Sequence, residues 1–165
     1  MVKGIKRIFE RSRREMLKGL KEKILNKKAK VGIIGLGYVG LPLAITFAKR
    51  GFKVYGIDVD KDRIERLDKG ESYILDVSGP DIRRAKREKR LIVTDDFSVI
   101  NQLDVVLICV PTPLHKTKEP DVSYIVSAVD NIKRYMKRGQ LVVLESTTYP
   151  GTTEEVMLPY WNQPG

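Results

Sequence analysis

The chain has one cysteine, Cys109, among 165 residues, which excludes a disulfide framework and suits a reducing, cytoplasmic setting. It has one histidine, His115, in the stretch His115-Lys116-Thr117-Lys118, where a solvated surface residue is the default. No metal site is expected. No apolar run is long enough to span a bilayer, and the amino terminus is too charged for a signal peptide. Repeats and low-complexity tracts are missing as well. The length suits one domain with a proper core.

Acidic residues are scarce only at one end. Residues 1–30 carry twelve Lys/Arg against three Glu, whereas the other 135 hold nineteen basic and eighteen acidic side chains. The net charge of +10 therefore belongs mostly to an arm. Residues 1–28 read as a basic helix with Val2, Ile5, Phe9, Met16, Leu20 and Ile24 near one face and a polar break at Ser12-Arg13. Gly4 and Gly19 weaken its continuity. One reading packs the apolar stripe on the domain or a partner chain. The competing one is attraction to an anionic membrane or nucleic acid. No aromatic interleaving or nucleic-acid motif accompanies the charge, which favours the first.

The rest of the chain is organised around Lys30 to Asp58. A buried-strand run, Val31-Gly32-Ile33-Ile34, flows into Gly35-Leu36-Gly37-Tyr38-Val39-Gly40. An apolar helical pattern starting near Tyr38 follows and stops at Gly51; a second apolar run, Val54 to Ile57, ends on Asp58. A lone GxGxxG is a weak signal, but strand before, helix after and an acid at the next strand's tip make it a dinucleotide fingerprint. Gly35 allows the sharp turn, Gly37 lets a pyrophosphate approach, and Gly40 lets the helix pack on the sheet. The helix start offers free N–H groups and a positive dipole end to phosphates. Asp58, 18 residues past Gly40, is placed to accept from a ribose 2′- and 3′-hydroxyl pair. A carboxylate there repels a 2′-phosphate, so NAD is favoured over NADP. Lys61 and Arg63 soften that preference without reversing it, and Arg63 could lie over the adenine or its ribose.

Further on, Lys61 to Lys69 reads as a short helix closed by Gly70, residues 71–80 as a loop, and Asp81 to Lys89 as a charged helix. Leu91 to Val93 is a third strand, and Thr94-Asp95-Asp96 caps a small helix through Asn101. Leu103 to Val110 is apolar enough for a central parallel strand and is halted by Pro111-Thr112-Pro113. Asp121 caps a long amphipathic helix, Val122 to Lys137; Leu141 to Leu144 is a fifth strand tipped by Glu145 to Thr148. A turn at residues 150–155 enters a last short helix. Strands alternating with helices predict an α/β, Rossmann-type doubly wound parallel sheet in order 3-2-1-4-5, preceded by the basic N-terminal helix. Ligands in such sheets lie where the strand order reverses, so Gly35-Leu36-Gly37 and Val110 to Pro113 should face one crevice with Ser146-Thr147 beside it.

IGLGYVGLPLA, CVPTPL, EPDVSYI and ESTTYPGTT stand in this order in the chain. Together they resemble the N-terminal NAD-binding domain of the UDP-sugar 6-dehydrogenases (the UDP-glucose/GDP-mannose dehydrogenase family), over about residues 29–160. The last two motifs look most like the branch acting on UDP-N-acetylglucosamine or UDP-N-acetylmannosamine. The resemblance implies that Gly35, Leu36, Gly37, Tyr38, Val39 and Gly40 hold the pyrophosphate and that Asp58 and Arg63 take the adenosine ribose. Val110, Pro111, Thr112 and Pro113 would border the nicotinamide half. Thr147 would help hold a water or substrate near the reacting carbon; the less favoured alternative is a hydroxyl that satisfies a helix N-terminus or loop backbone.

The reaction so implied oxidises the C6 hydroxyl of a UDP-N-acetylhexosamine to the uronic acid with two NAD, through a cysteine-bound thiohemiacetal and thioester. Alternatives are a UDP-glucose 6-dehydrogenase domain or a non-catalytic NAD-sensing module. Cys109 is not that nucleophile, since it lies inside an apolar strand. The family's catalytic cysteine, its Lys/Asn pair and the central and C-terminal UDP-sugar domains have no counterpart in this sequence. Residues 29–165 are therefore read as a dinucleotide domain truncated relative to the family and inactive by itself. The fifth strand then forms an open sheet edge, predicting a homo-oligomer paired along it or cover from the arm.

Overall fold

Alternation along the central strands divides their side chains between two cores. Val31, Ile33, Val54, Val105 and Leu107 enter one; Ile34, Tyr55, Ile57, Val106 and Ile108 enter the other. A strand buried on both faces has no room for polar residues, so these segments are nearly continuous apolar runs. Each fully buried Ile or Leu contributes about 1.5–3 kcal/mol relative to exposure.

The computed structural model describes residues 2–113 and 121–162, without the side chains of residues 2–9, 11 and 162. His115, Glu119 and Pro120, and the side chains of Val2, Ile5 and Phe9, lie outside the described residues. In chain order the elements are α1 (Val2–Leu25), β1 (Lys30–Ile34), α2 (Gly40–Lys49), β2 (Lys53–Ile57), α3 (Lys61–Asp68) and α4 (Gly79–Arg87). Then come β3 (Leu91–Thr94), a 3₁₀ turn (Phe97–Gln102), β4 (Val105–Ile108), α5 (Ser123–Tyr135) and β5 (Leu141–Leu144). A π-helical turn (Thr153–Met157) leads into α6 (Leu158–Asn162). The five strands are parallel in the order β3-β2-β1-β4-β5, as the alternation predicts. α2, α3 and α4 cover one face; α5, the 3₁₀ turn and α6 cover the other. No helix among the described residues is long and apolar enough to cross a membrane.

Several boundaries differ from the expectation for identifiable reasons. α2 starts at Gly40, not near Tyr38, because Gly35 to Val39 are consumed by the turn. α4 starts at Gly79, not Asp81: Ser78 accepts from Asp81 N–H at 3.2 Å, and Pro80 suits the first turn. The sequence Ser78-Gly79-Pro80-Asp81 is a start signal that the loop assignment overlooked. Asp121 does serve the start of α5, accepting from Ser123 N–H at 2.9 Å, but the helix closes at Tyr135.

α1 is one unbroken helix of 24 residues through Gly4, Ser12-Arg13 and Gly19. Its second half docks beneath the amino ends of the strands. Leu20 and Ile24 pack on the core, and Lys23 Nζ meets Asp104 Oδ1 at 2.6 Å just before β4. Asp104 Oδ2 also accepts from Lys30 N–H at 2.9 Å. Burial pushes the Asp104 carboxyl upward, but Lys23 and the Lys30 amide outweigh it and hold it below its ordinary value. These contacts pack the carboxyl-terminal part of α1 on the domain, opposite the carboxyl ends of the strands, where the crevice lies.

Candidate functional site

The chain leaves β1 through Gly35, whose φ of +90° lies in the left-handed region glycine favours. Its N–H donates to Ile57 O at 2.8 Å, and a Cβ there would come within 2.6 Å of Cys109 O. The turn is thus wedged between the ends of β2 and β4. Gly40 closes it from above, since a Cβ at that position would overlap Gly35 O.

Leu36 turns inward. Its side chain is fully buried against Gly56, where a Cβ would lie 2.9 Å from Leu36 Cδ2. Its N–H donates to Asp58 Oδ2 at 2.7 Å. Leu36, expected beside the cofactor, therefore anchors Gly35 and Gly37 and presents no side chain to the crevice. Gly37, Tyr38 and Val39 face outward instead. Among the described residues their N–H groups have no hydrogen-bond partner, and the Tyr38 side chain is 81% exposed. Free amides at the amino end of a ten-residue helix form a cradle for an anion.

Asp58, at the tip of β2, is 5% exposed and already engaged. Besides Leu36 N–H, it accepts from Asp60 N–H at 3.0 Å on Oδ1 and from Arg63 Nη1 at 3.3 Å on Oδ2. Arg63 Nε also lies 3.3 Å from Asp60 Oδ2. A carboxylate has about four acceptor sites, so one stays open to a ribose hydroxyl and the second hydroxyl needs Arg63 to swing aside. Two carboxylates around one guanidinium leave this corner negative, as discrimination against a 2′-phosphate requires.

The other wall is laced by hydroxyls. Thr112 Oγ1 donates to Thr147 O at 2.5 Å, and Ser146 Oγ donates to Val110 O at 2.8 Å, joining the tips of β4 and β5. Thr147 is exposed, and its own hydroxyl has no partner among the described residues. The backbone-satisfying role falls to Thr152, which donates to Tyr149 O at 2.8 Å. A cleft of about 650 Å³ runs between Tyr38, Val39, Thr112, Pro113 and Thr147. A second, about 290 Å³, opens over Gly35, Gly37, Asp58 and Arg63. Cys109, Val110 and Pro111 border both, so the two form one trough over the switch point.

Ser146 lines the larger cleft, as its expected place beside the crevice requires, whereas sequence reasoning missed Val59, Phe97 and Tyr124 on the smaller cleft and Glu145 and Tyr149 on the larger. Glu145 could have been found with it, as the tip of the fifth strand next to the switch point. Phe97 opens a helical segment and carries no local signal, and Tyr124, though inside EPDVSYI, has no residue pattern that points it at the cleft. The described residues contain no group of His, Cys, Asp and Glu able to hold a metal ion.

Cys109 lies on the floor of the trough, 7% exposed. Burial, with the charge of Glu145 added, pushes its thiol up to about 11. The native protein is expected to react with iodoacetamide at least about tenfold more slowly than the unfolded chain at pH 8. The native rate should keep rising past pH 9, where an ordinary thiol levels off. Mass-spectrometric alkylation kinetics check both, and equal native and unfolded rates would refute them.

Residues 29–164 match the family model described as "UDP-glucose/GDP-mannose dehydrogenase family, NAD binding domain". UDP-N-acetyl-D-glucosamine 6-dehydrogenase from Pseudomonas aeruginosa is 38% identical over 133 residues, covering 81% of this chain and 31% of that protein. UDP-N-acetyl-D-mannosamine dehydrogenase from Pyrococcus horikoshii is 39% identical over 131 residues, covering 77% and 30%. A crystal structure of a ternary complex of GDP-mannose dehydrogenase from Pseudomonas aeruginosa superposes with a TM-score of 0.76 at 32% identity, covering 79% and 31%. The chain thus spans about a third of the length of the curated relatives it matches.

Proposed function

We infer function from one premise: this chain belongs to the UDP-glucose/GDP-mannose dehydrogenase family, as its NAD binding domain. In this reading residues 29–165 are the dinucleotide unit and residues 1–28 an appended helix that braces it from below. The whole enzyme oxidises the C6 hydroxyl of a UDP-N-acetylhexosamine to the acid, and this part presents the oxidant. Relatives named for UDP-N-acetylglucosamine and UDP-N-acetylmannosamine favour that sugar class over UDP-glucose. A homo-oligomer pairing along β5 completes the reading, with Leu141 exposed on that flank.

The residues present suit NAD. NAD, when bound, accepts hydride from the substrate carbon. The amides of Gly37, Tyr38 and Val39 neutralise the diphosphate without any basic side chain. Asp58 accepts from the adenosine ribose, and Arg63, displaced from it, lies along the adenine side. Val110, Pro111, Thr112 and Pro113 wall the nicotinamide half and keep water off one face. The Thr147 hydroxyl, free at the mouth, positions a water or the substrate hydroxyl.

One observation carries this reading: three unpaired amides, a buried acid and the tips of β4 and β5 converge on one trough. Calorimetric titration tests it. NAD is expected to bind at least about tenfold more tightly than NADP, roughly the cost of one repulsive or unpaired contact in a buried corner. No heat with NAD, or a preference for NADP, would overturn the assignment of Asp58.

A further inference from the structure

Tyr73 belongs to no motif and lies in the loop between α3 and α4, yet its hydroxyl donates to Leu36 O at 2.7 Å across 37 residues. Leu36 is therefore held at three points: its side chain against Gly56, its N–H by Asp58 and its carbonyl by Tyr73. A trans peptide points its C=O and the following N–H in opposite directions. Fixing Leu36 O toward Tyr73 consequently turns the Gly37 N–H away from Tyr73, out toward the trough.

We propose that Tyr73 is a positioning residue for the diphosphate, acting through the Leu36–Gly37 peptide to aim the first free amide of the cradle. The inference rests on the assignment of a dinucleotide to the trough. Two further features support it. The Tyr73 ring lies beneath the guanidinium groups of Arg63 and Arg66, at 5.8 and 5.4 Å, and Arg66 in turn donates to Ser72 O at 2.9 Å, so the loop carrying the phenol is itself braced. Burial, together with the charge of Asp58, raises the phenol well above its usual pKa. The hydroxyl therefore remains a donor at any working pH. Because one end of Tyr73 touches Leu36 and its ring touches Arg63, it ties the diphosphate cradle to the ribose corner.

The test compares full-length wild type and Tyr73→Phe, titrated with NAD, ADP and adenosine and followed by NMR shifts. The variant keeps the ring and loses only the donor. NAD and ADP affinities are expected to fall about 5- to 20-fold, the loss of one buried hydrogen bond, while adenosine binds as before. Arg84→Ala, at an exposed α4 position that pairs with Glu88 and lines neither cleft, should leave all three unchanged. Equal losses for adenosine and ADP, or no loss for ADP, would overturn the proposal. If wild type binds neither NAD nor ADP, it is the dinucleotide assignment that fails. A measurement without a variant covers the case in which Tyr73→Phe does not fold: ADP should slow Gly37 amide exchange in wild type at least tenfold. A Gly37 amide left unprotected by saturating ADP would refute the aim assigned to Tyr73.

Discussion

Gly37→Ala is expected to leave the fold standing and to weaken NAD binding more than about a hundredfold, ~2.7 kcal/mol or more. A Cβ at Gly37 meets nothing within 4 Å, and its backbone is outside the left-handed region, so alanine fits the free protein. The same methyl stands on the rim of the smaller cleft, beside the Gly37 amide that a phosphate must approach to about 3 Å. Gly40→Ala gives the contrast. Its Cβ would overlap Gly35 O and lie 3.2 Å from Cys109 Cβ, both parts of the packed turn. That variant should lose about 3 kcal/mol or more of stability before any ligand is added. Thermal unfolding and calorimetry on the two variants separate the roles. An unstable Gly37→Ala, or one that binds NAD normally, would refute the assignment of Gly37 to ligand approach.

Both glycines announce themselves in the sequence because the constraint on each is local: three glycines, a strand before and a helix after. β4 was legible for a similar reason, since a parallel strand covered on both faces tolerates little except apolar residues, and β5, only partly covered, still stands out as an apolar run before Glu145. The strand order then followed from the topology, and it brought Val110 to Pro113 and Thr147 to the turn. What escaped depends on contacts between distant segments. Lys23 and Asp104 are 81 residues apart, and the arm's place beneath the strands hangs on that pair and on two half-buried apolar side chains. Leu36 stands inside the glycine fingerprint, which is why the sequence suggests a cofactor contact there. Only Gly56, 20 residues on, reveals that the side chain has room to go inward. α4 starts two residues before Asp81 because Ser78 caps it, a start signal present in the sequence itself. Phe97 and Tyr124 reach the smaller cleft by where their helical segments begin.

Asp58 carries the second large effect, and it is a double one. Its carboxylate supports the ribose corner, but its nearer duty is to the protein, because Leu36 N–H is buried and has Asp58 as its acceptor. Asp58→Ala should therefore cost about 2–4 kcal/mol of stability, from a stranded Leu36 donor, an unpaired Asp60 amide and a guanidinium left with one carboxylate. NAD affinity should fall at least about thirtyfold, since the loop and the ribose contact weaken together. Asp58→Asn separates the two duties. An oxygen can still face Leu36 N–H, so most stability survives, while the negative charge is gone and Arg63 is released toward the ligand. The preference for NAD over NADP should then shrink to about fivefold or less, as repulsion of the 2′-phosphate is replaced by attraction to Arg63. Denaturant unfolding and paired NAD/NADP titrations on wild type and both variants decide the matter. Should Asp58→Ala unfold like wild type, the carboxylate does not hold the turn. Should Asp58→Asn keep full discrimination against NADP, the selectivity comes from elsewhere. Truncating Asp58 is therefore expected to alter cofactor preference only by loosening the turn as well, whereas Asp58→Asn is expected to alter it with the turn still held.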